Sequence, residues 1–153
     1  MVELNDKIPK FSLEGSDGKI HNSEDFLGKK TVIYFYPKDN TPGCTAQACN
    51  ISDNYSQLKK LNINLVGVSA DSLDSHNKFI SKYNLPFVLL SDPTHEVAET
   101  FGAWGEKNLY GKISLGMKRM TFIFNENGEA IKVIKRAKSK THGEDLLKFF
   151  DSL

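Results

Sequence analysis

The chain has 153 residues, of which 39% are apolar, 10% aromatic and 25% charged, with 20 basic and 19 acidic side chains giving a net charge of +1. These values exclude a disordered chain and predict one folded domain spanning residues 1–153 with a core of its own. They also exclude a general electrostatic pull toward nucleic acid or anionic membrane.

Phe11-Ser12-Leu13 and Lys19-Ile20 bracket Gly15-Ser16-Asp17-Gly18, which predicts a small N-terminal hairpin. Thr31–Tyr36 is β-branched and aromatic and reads as a strand ended by Pro37. This stretch also contains the longest apolar run, Val32 to Tyr36, roughly a quarter of a membrane-spanning helix. Cys44–Leu61 carries Ala48, Ile51, Tyr55, Leu58 and Leu61 at helical spacing, one buried stripe. Ile63–Ser69 is the next strand, Ser72–Tyr83 the next helix and Phe87–Leu90 the strand after it. Asp92-Pro93 is read as the start of a short helix carrying Val97, Ala98 and Phe101 and closed by Gly102. Met120–Phe124 and Ala130–Ile134 flank an Asn-Gly step and predict a second hairpin. Lys132 to Lys140 holds five basic residues without interleaved aromatics and reads as a strand end and a solvated connection. Thr141-His142-Gly143-Glu144 has the capping-box pattern ahead of Leu146, Leu147 and Phe150. The expected fold class is α/β, a mixed central sheet with helices on both faces and an N-terminal hairpin. In such sheets ligands gather where parallel strands end and the next helices begin, which is where Cys44 falls.

The two cysteines, Cys44 and Cys49, are five residues apart. The polar start Met1–Lys7 lacks the apolar stretch of a secretory signal, so a cytoplasmic, reducing setting is expected and close thiols suggest chemistry. A thiol reacts as its thiolate, and a helix start supplies free N–H groups and a positive dipole end. Thr41 is the N-cap candidate, Pro42 suits the first helical position, and Cys44 shares the stripe of Ala48 and Ile51, so its sulfur is expected to face inward. Taken locally, this is equally the pattern of a capped helix with a buried, inert cysteine. In an ideal helix residues five apart differ by about 140° and their Cα atoms lie roughly 8 to 9 Å apart. A disulfide needs about 4.4 to 6.8 Å, so the two cysteines cannot join while both are helical. Joining them requires the first turn or more to unwind. Zinc prefers four ligands at short spacings, and His21, His76, His95 and His142 are scattered, which disfavours a metal. If Met120–Phe124 runs antiparallel to Thr31–Tyr36, Arg119 stands beside the Cys44 loop, where it would favour a thiolate and steady a leaving oxygen; the plainer alternative is a solvated strand-end cation.

The run Pro37-Lys38-Asp39-Asn40-Thr41-Pro42-Gly43-Cys44 matches the Pro-x3-Thr-x2-Cys motif and resembles the peroxiredoxins, thiol peroxidases on a thioredoxin-like fold. The wider YFYPKDNTPGCTAQAC looks like the bacterioferritin-comigratory, or PrxQ, subfamily, and the likeness extends through Phe101–Lys107 to Arg119–Ile123. The resemblance implies a peroxidatic Cys44, a resolving Cys49, Thr41 orienting the peroxide, Arg119 polarising it and Pro37 shielding the thiolate. It implies hydroperoxide substrates, an antioxidant role, recycling of a Cys44–Cys49 disulfide by thioredoxin or a similar dithiol, and no metal, haem or flavin. A bond within one chain needs no partner subunit, and a monomer is expected. Gln47 stands where the subfamily often has Glu, and Ser52 lies near a frequent Arg. Phe35, Phe101, Trp104 and Leu109 are the apolar candidates for the pocket wall. Two other functions are weighed against this one. A thioredoxin-like disulfide exchanger keeps its cysteines two residues apart, and a redox sensor needs a docking element that this chain does not display.

Overall fold

Alternation along one strand sets the architecture. From Lys30–Phe35 onward, Val32, Tyr34 and Tyr36 point to one face of the sheet, and Ile33 and Phe35 to the other. All five are at most 1% exposed, so both faces must be covered. The computed structural model describes residues 1–153 apart from the side chain of Leu109.

The elements are β1 (Ser12–Gly15), β2 (Ile20–Asn22), β3 (Lys30–Phe35), α1 (Pro42–Lys60), β4 (Ile63–Ser69), α2 (Leu73–Tyr83) and β5 (Val88–Ser91), followed by α3 (Glu96–Phe101), β6 (Trp104–Leu109), β7 (Lys112–Met117), β8 (Thr121–Phe124), β9 (Ala130–Ile134) and α4 (His142–Asp151). Seven strands form one mixed sheet in the order β2-β1-β5-β4-β3-β8-β9. β3, β4 and β5 are parallel, and β8 runs antiparallel to β3 with Ile33 opposite Phe122. Helices α1, α2 and α4 cover the Tyr34 face through Ile51, Leu58, Phe79, Leu146 and Phe150. On the Phe35 face α3 packs with Ala98 and Phe101, joined by Val2, Leu13, Phe26, Met117 and Met120. The mixed sheet with helices on both faces is as expected, although three of the four helices lie on one side.

Four elements differ from expectation. The helix expected from Asp92 begins at Glu96, because Asp92–His95 is a turn and the Asp92 carboxylate reaches forward to accept from Ala98 N at 2.9 Å. Phe87 belongs to the connection before β5, and Ser91 extends the strand. The capping box at Thr141 does not form, since Thr141 donates to Asp145 and Glu144 accepts from Asn50 across to α1. The β6–β7 hairpin is not among the expected elements, although Ile113, Leu115 and Met117 alternate and Tyr110-Gly111 supplies two positive φ angles. Ile113 and Leu115 face water, 68% and 71% exposed, and only Met117 at the end is buried, so burial does not mark the hairpin as a strand pair.

α4 is docked on α1 at one glycine. Gly143 N donates to Asn50 Oδ1 at 2.6 Å, and a Cβ at Gly143 would lie 2.6 Å from the Asn50 carbonyl oxygen. That neighbour is backbone and cannot swing away. Gly143→Ala is therefore expected to destabilise the protein by about 1–3 kcal/mol, seen as a lower urea midpoint at unchanged m-value.

Candidate active site

The parallel β3–β4 pair leaves the start of α1 at the carboxyl edge of the sheet. Thr41 is the N-cap, extended at φ −93° and ψ 155°, and Pro42 occupies the first turn, where its missing N–H costs nothing. Cys44 follows two residues later. It lies on the inward stripe with Ala48 and Ile51 and is 2% exposed. The sulfur thus sits against the sheet, close to the free N–H groups of the helix start.

Arg119 reaches this sulfur from the connection just ahead of β8. Because β8 runs against β3, Phe35 N donates to Met120 O at 2.7 Å, which places the residue before Met120 next to the loop that follows β3. Both guanidinium nitrogens, Nη1 and Nη2, lie 3.5 Å from Cys44 Sγ. Nη1 also donates to Gln47 Oε1 at 2.6 Å. A Cβ on Gly43 would come 3.1 Å from Nη2, so the glycine ahead of the cysteine leaves the guanidinium its room. The strand-end residue read from topology is therefore at the sulfur and not in open solvent. A cation and a helix start converging on one buried sulfur stabilise negative charge there.

Thr41 is half-buried, and its hydroxyl donates to Lys38 O at 2.8 Å, so it must leave that carbonyl to donate to a bound oxygen. Pro37 lines a groove of about 840 Å³ together with Met1, Lys107, Lys118, Arg119 and Met120. Phe35 and Phe101 do not line it; both are 0% exposed and belong to the core of the opposite face. Trp104 stacks flat on His95 with ring centroids 3.9 Å apart. The Leu109 side chain lies outside the described residues. Basic side chains, Lys107, Lys118, Lys135 and Arg136, stand in the wall beside Pro37 and Met120, where aromatics were expected. Burial pushes the Lys107 ammonium down, and the Arg119 charge adds to it.

Cys49 lies further along α1, half-buried, and both cysteines are free thiols on one continuous helix. Burial, with the Asp53 carboxylate one turn on, pushes the Cys49 thiol up. The cysteines thus occupy different environments: Cys44 faces a guanidinium, and Cys49 faces a carboxylate.

Sequence reasoning missed Gln47 as the partner of Arg119, although its position one turn after Cys44 on the same stripe marked it. Its Nε2 is buried without a partner among the described residues, as are Tyr34 OH and His142 Nδ1. His142 Nε2 is bonded to Thr121 Oγ1 at 3.0 Å. Burial lowers the His142 imidazole from 6.5 to about 4; Asp145 opposes the shift and Arg119 adds to it. The unfolded chain takes up this proton near 6.5 and the folded chain only near 4, so the unfolded state binds more protons between them. Stability is therefore lost as pH falls from 6.5 toward 4, by about 3 kcal/mol from this group alone. Urea titrations at several pH values should show a flatter acid limb in His142→Gln than in the unaltered protein.

Comparison with known proteins identifies the family. A profile described as the AhpC/TSA family matches residues 4–133. The chain is 41% identical over 146 residues to Peroxiredoxin Bcp of Bacillus subtilis, covering 95% of this chain and 93% of that protein. It is also 41% identical over 146 residues to Peroxiredoxin Bcp of Escherichia coli K12, covering 95% and 94%. Among solved structures it resembles a cysteine-to-serine mutant of PrxQ from Xylella fastidiosa, with a TM-score of 0.91 and 28% identity, covering 99% of this chain and 97% of that one. It likewise resembles the Xanthomonas campestris bacterioferritin comigratory protein, with a TM-score of 0.88 and 31% identity over 99% and 97% of the two chains. That protein was solved in trapped intermediate and ligand complexes bearing on its alkyl peroxide reduction. The family match and these identities over nearly the whole chain show that the chain belongs to the AhpC/TSA family as a peroxiredoxin of the Bcp/PrxQ kind.

Proposed function

We propose that Cys44 attacks hydroperoxides and that Cys49 resolves the product within the same chain. The observation that carries this reading is the pair of guanidinium nitrogens 3.5 Å from a buried sulfur in the first turn of α1. The Cys44 thiolate displaces on the outer oxygen of R–O–O–H. A sulfur–oxygen bond forms as the O–O bond breaks, leaving Cys44 as a sulfenic acid and releasing an alkoxide, or hydroxide from hydrogen peroxide. Arg119, the helix-start N–H groups and the Thr41 hydroxyl stabilise the charge on the departing oxygen, which then takes a proton from water. Pro37 limits water at the sulfur.

Resolution requires movement. On a helix spanning Pro42–Lys60 the two cysteines are roughly 8 to 9 Å apart at Cα, beyond disulfide reach. The first turns of α1 unwind, the Cys49 sulfur attacks the Cys44 sulfur, and water leaves as the disulfide closes. Unwinding is bounded at Asn50, whose side chain is bonded to Gly143 N and Glu144 of α4. A dithiol reductant of the thioredoxin type then opens the bond by exchange. Closure within one chain suits a monomer.

Intact mass after a small excess of peroxide tests this reading. The expected result is a loss of two hydrogens with no covalent dimer, and alkylation that no longer labels either cysteine. A gain of oxygen that persists in the unaltered protein, or a disulfide-linked dimer, would overturn intramolecular resolution.

A further inference from the structure

Between β3 and α1 the chain carries Pro37 and Thr41 on a segment with no regular structure of its own, so side chains must hold it. Asp39, in its middle, is buried, its side chain 2% exposed. Its Oδ1 accepts from Tyr36 OH, and its Oδ2 accepts from Ser75 Oγ at 2.8 Å. His76 Nδ1 lies 2.7 Å from the same Oδ2. His76 is 0% exposed, and its Nε2 lies 2.9 Å from Leu90 O. A carbonyl only accepts, so Nε2 carries a proton, and that bond turns the ring so that Nδ1 faces Asp39. Asp39 N donates to Asp71 Oδ2 at 2.8 Å, and Asn40 Oδ1 accepts from Tyr83 OH at 3.1 Å. Asp39, Asp71 and His76 bring potential ligand atoms within 4.8 Å of one another. Those atoms are already bonded to protein groups, which makes the cluster a structural network and not a cation site.

We propose that Asp39 and His76 are a positioning pair that clamps the Pro37–Thr41 segment to α2 and to the end of β5. The clamp makes that segment the stationary side of the site while the start of α1 unwinds beside it. The clamp lies two residues before Thr41 and five before Cys44, wholly ahead of the helix that must move. Its hydrogen bonds are desolvated, so leaving any of them unmade is costly, and the segment keeps a single arrangement. Peroxide attack needs Thr41 and Pro37 in register with the sulfur, whereas disulfide closure needs only that α1 unwind. Loss of the clamp therefore separates the two steps.

The inference rests on the proposed role of Cys44, and rapid-quench alkylation with mass detection distinguishes the two. His76→Leu removes both ring nitrogens. It is expected to lower the second-order constant for Cys44 oxidation by about tenfold or more, with disulfide closure unchanged or faster. His76→Asn keeps a donor at the Nδ1 position and should recover most of the oxidation rate. Asp39→Asn, nearly the same shape, should reproduce the split seen in His76→Leu should that variant fold poorly. An oxidation step unaffected by these changes, a parallel fall in both steps, or no recovery in His76→Asn overturns the clamp. If Cys44 of the unaltered protein is not oxidised at all, it is the peroxidase assignment that fails.

Discussion

Cys44→Ser should eliminate peroxide consumption, lowering the rate with excess dithiol reductant by ~10³-fold or more. A serine hydroxyl in the same place is protonated and far less nucleophilic than a thiolate, so the arginine and the helix start have no charged sulfur to stabilise. Cys49→Ser should fail differently. Its Cys44 remains buried under Arg119, so it should consume one equivalent of peroxide at the unaltered rate and then stop as a sulfenic acid. Trapping that acid with a carbon nucleophile and counting peroxide consumed per chain distinguishes the two variants. If Cys44→Ser turns over at an undiminished rate, the attacking sulfur has been assigned to the wrong residue. If Cys49→Ser turns over repeatedly with a dithiol, Cys49 is not needed for resolution.

Arg119→Met should be the second largest loss, lowering the second-order constant for Cys44 oxidation by ~10²–10³-fold in stopped-flow single turnover. The guanidinium places two donors at the sulfur while one of them also reaches Gln47 Oε1, a fork that a point charge cannot reproduce. Arg119→Lys should therefore recover only part of the rate. The loss should appear in the oxidation step and not in disulfide closure, since Arg119 sits just ahead of β8 and is no part of the helix that unwinds. Equal slowing of both steps would instead indicate that the substitution loosens the packing of α1.

Regular elements were readable where burial and period coincide. Ile63–Ser69 and Ala130–Ile134 have the bounds that their apolar runs and turn residues imply, and Pro42 begins α1 behind an N-cap threonine. Reading failed where another part of the chain intervenes. Thr141 and Glu144 have the spacing of a capping box, yet each finds a different partner, Asp145 and an asparagine on α1. Asp92 has the look of a helix start and instead caps α3 from across a turn. The expected aromatic wall is absent from the groove, which several lysines and arginines line instead, because Phe35 and Phe101 are drawn to the apolar face opposite the cysteine.

Local sequence was enough to place a cysteine at a helix start and a second one beyond bonding reach, because cap chemistry and the 3.6-residue period act over a few neighbouring residues. Only the assembled sheet decided what surrounds that sulfur. Arg119 is 75 residues from Cys44 and His76 is 37 from Asp39, and both pairs meet because antiparallel and parallel strand register brings distant segments to the same edge. Spacing along the chain leaves strand order open, so the Arg119 contact was conditional on an antiparallel pairing and the Asp39–His76 contact was not legible until the strands pair.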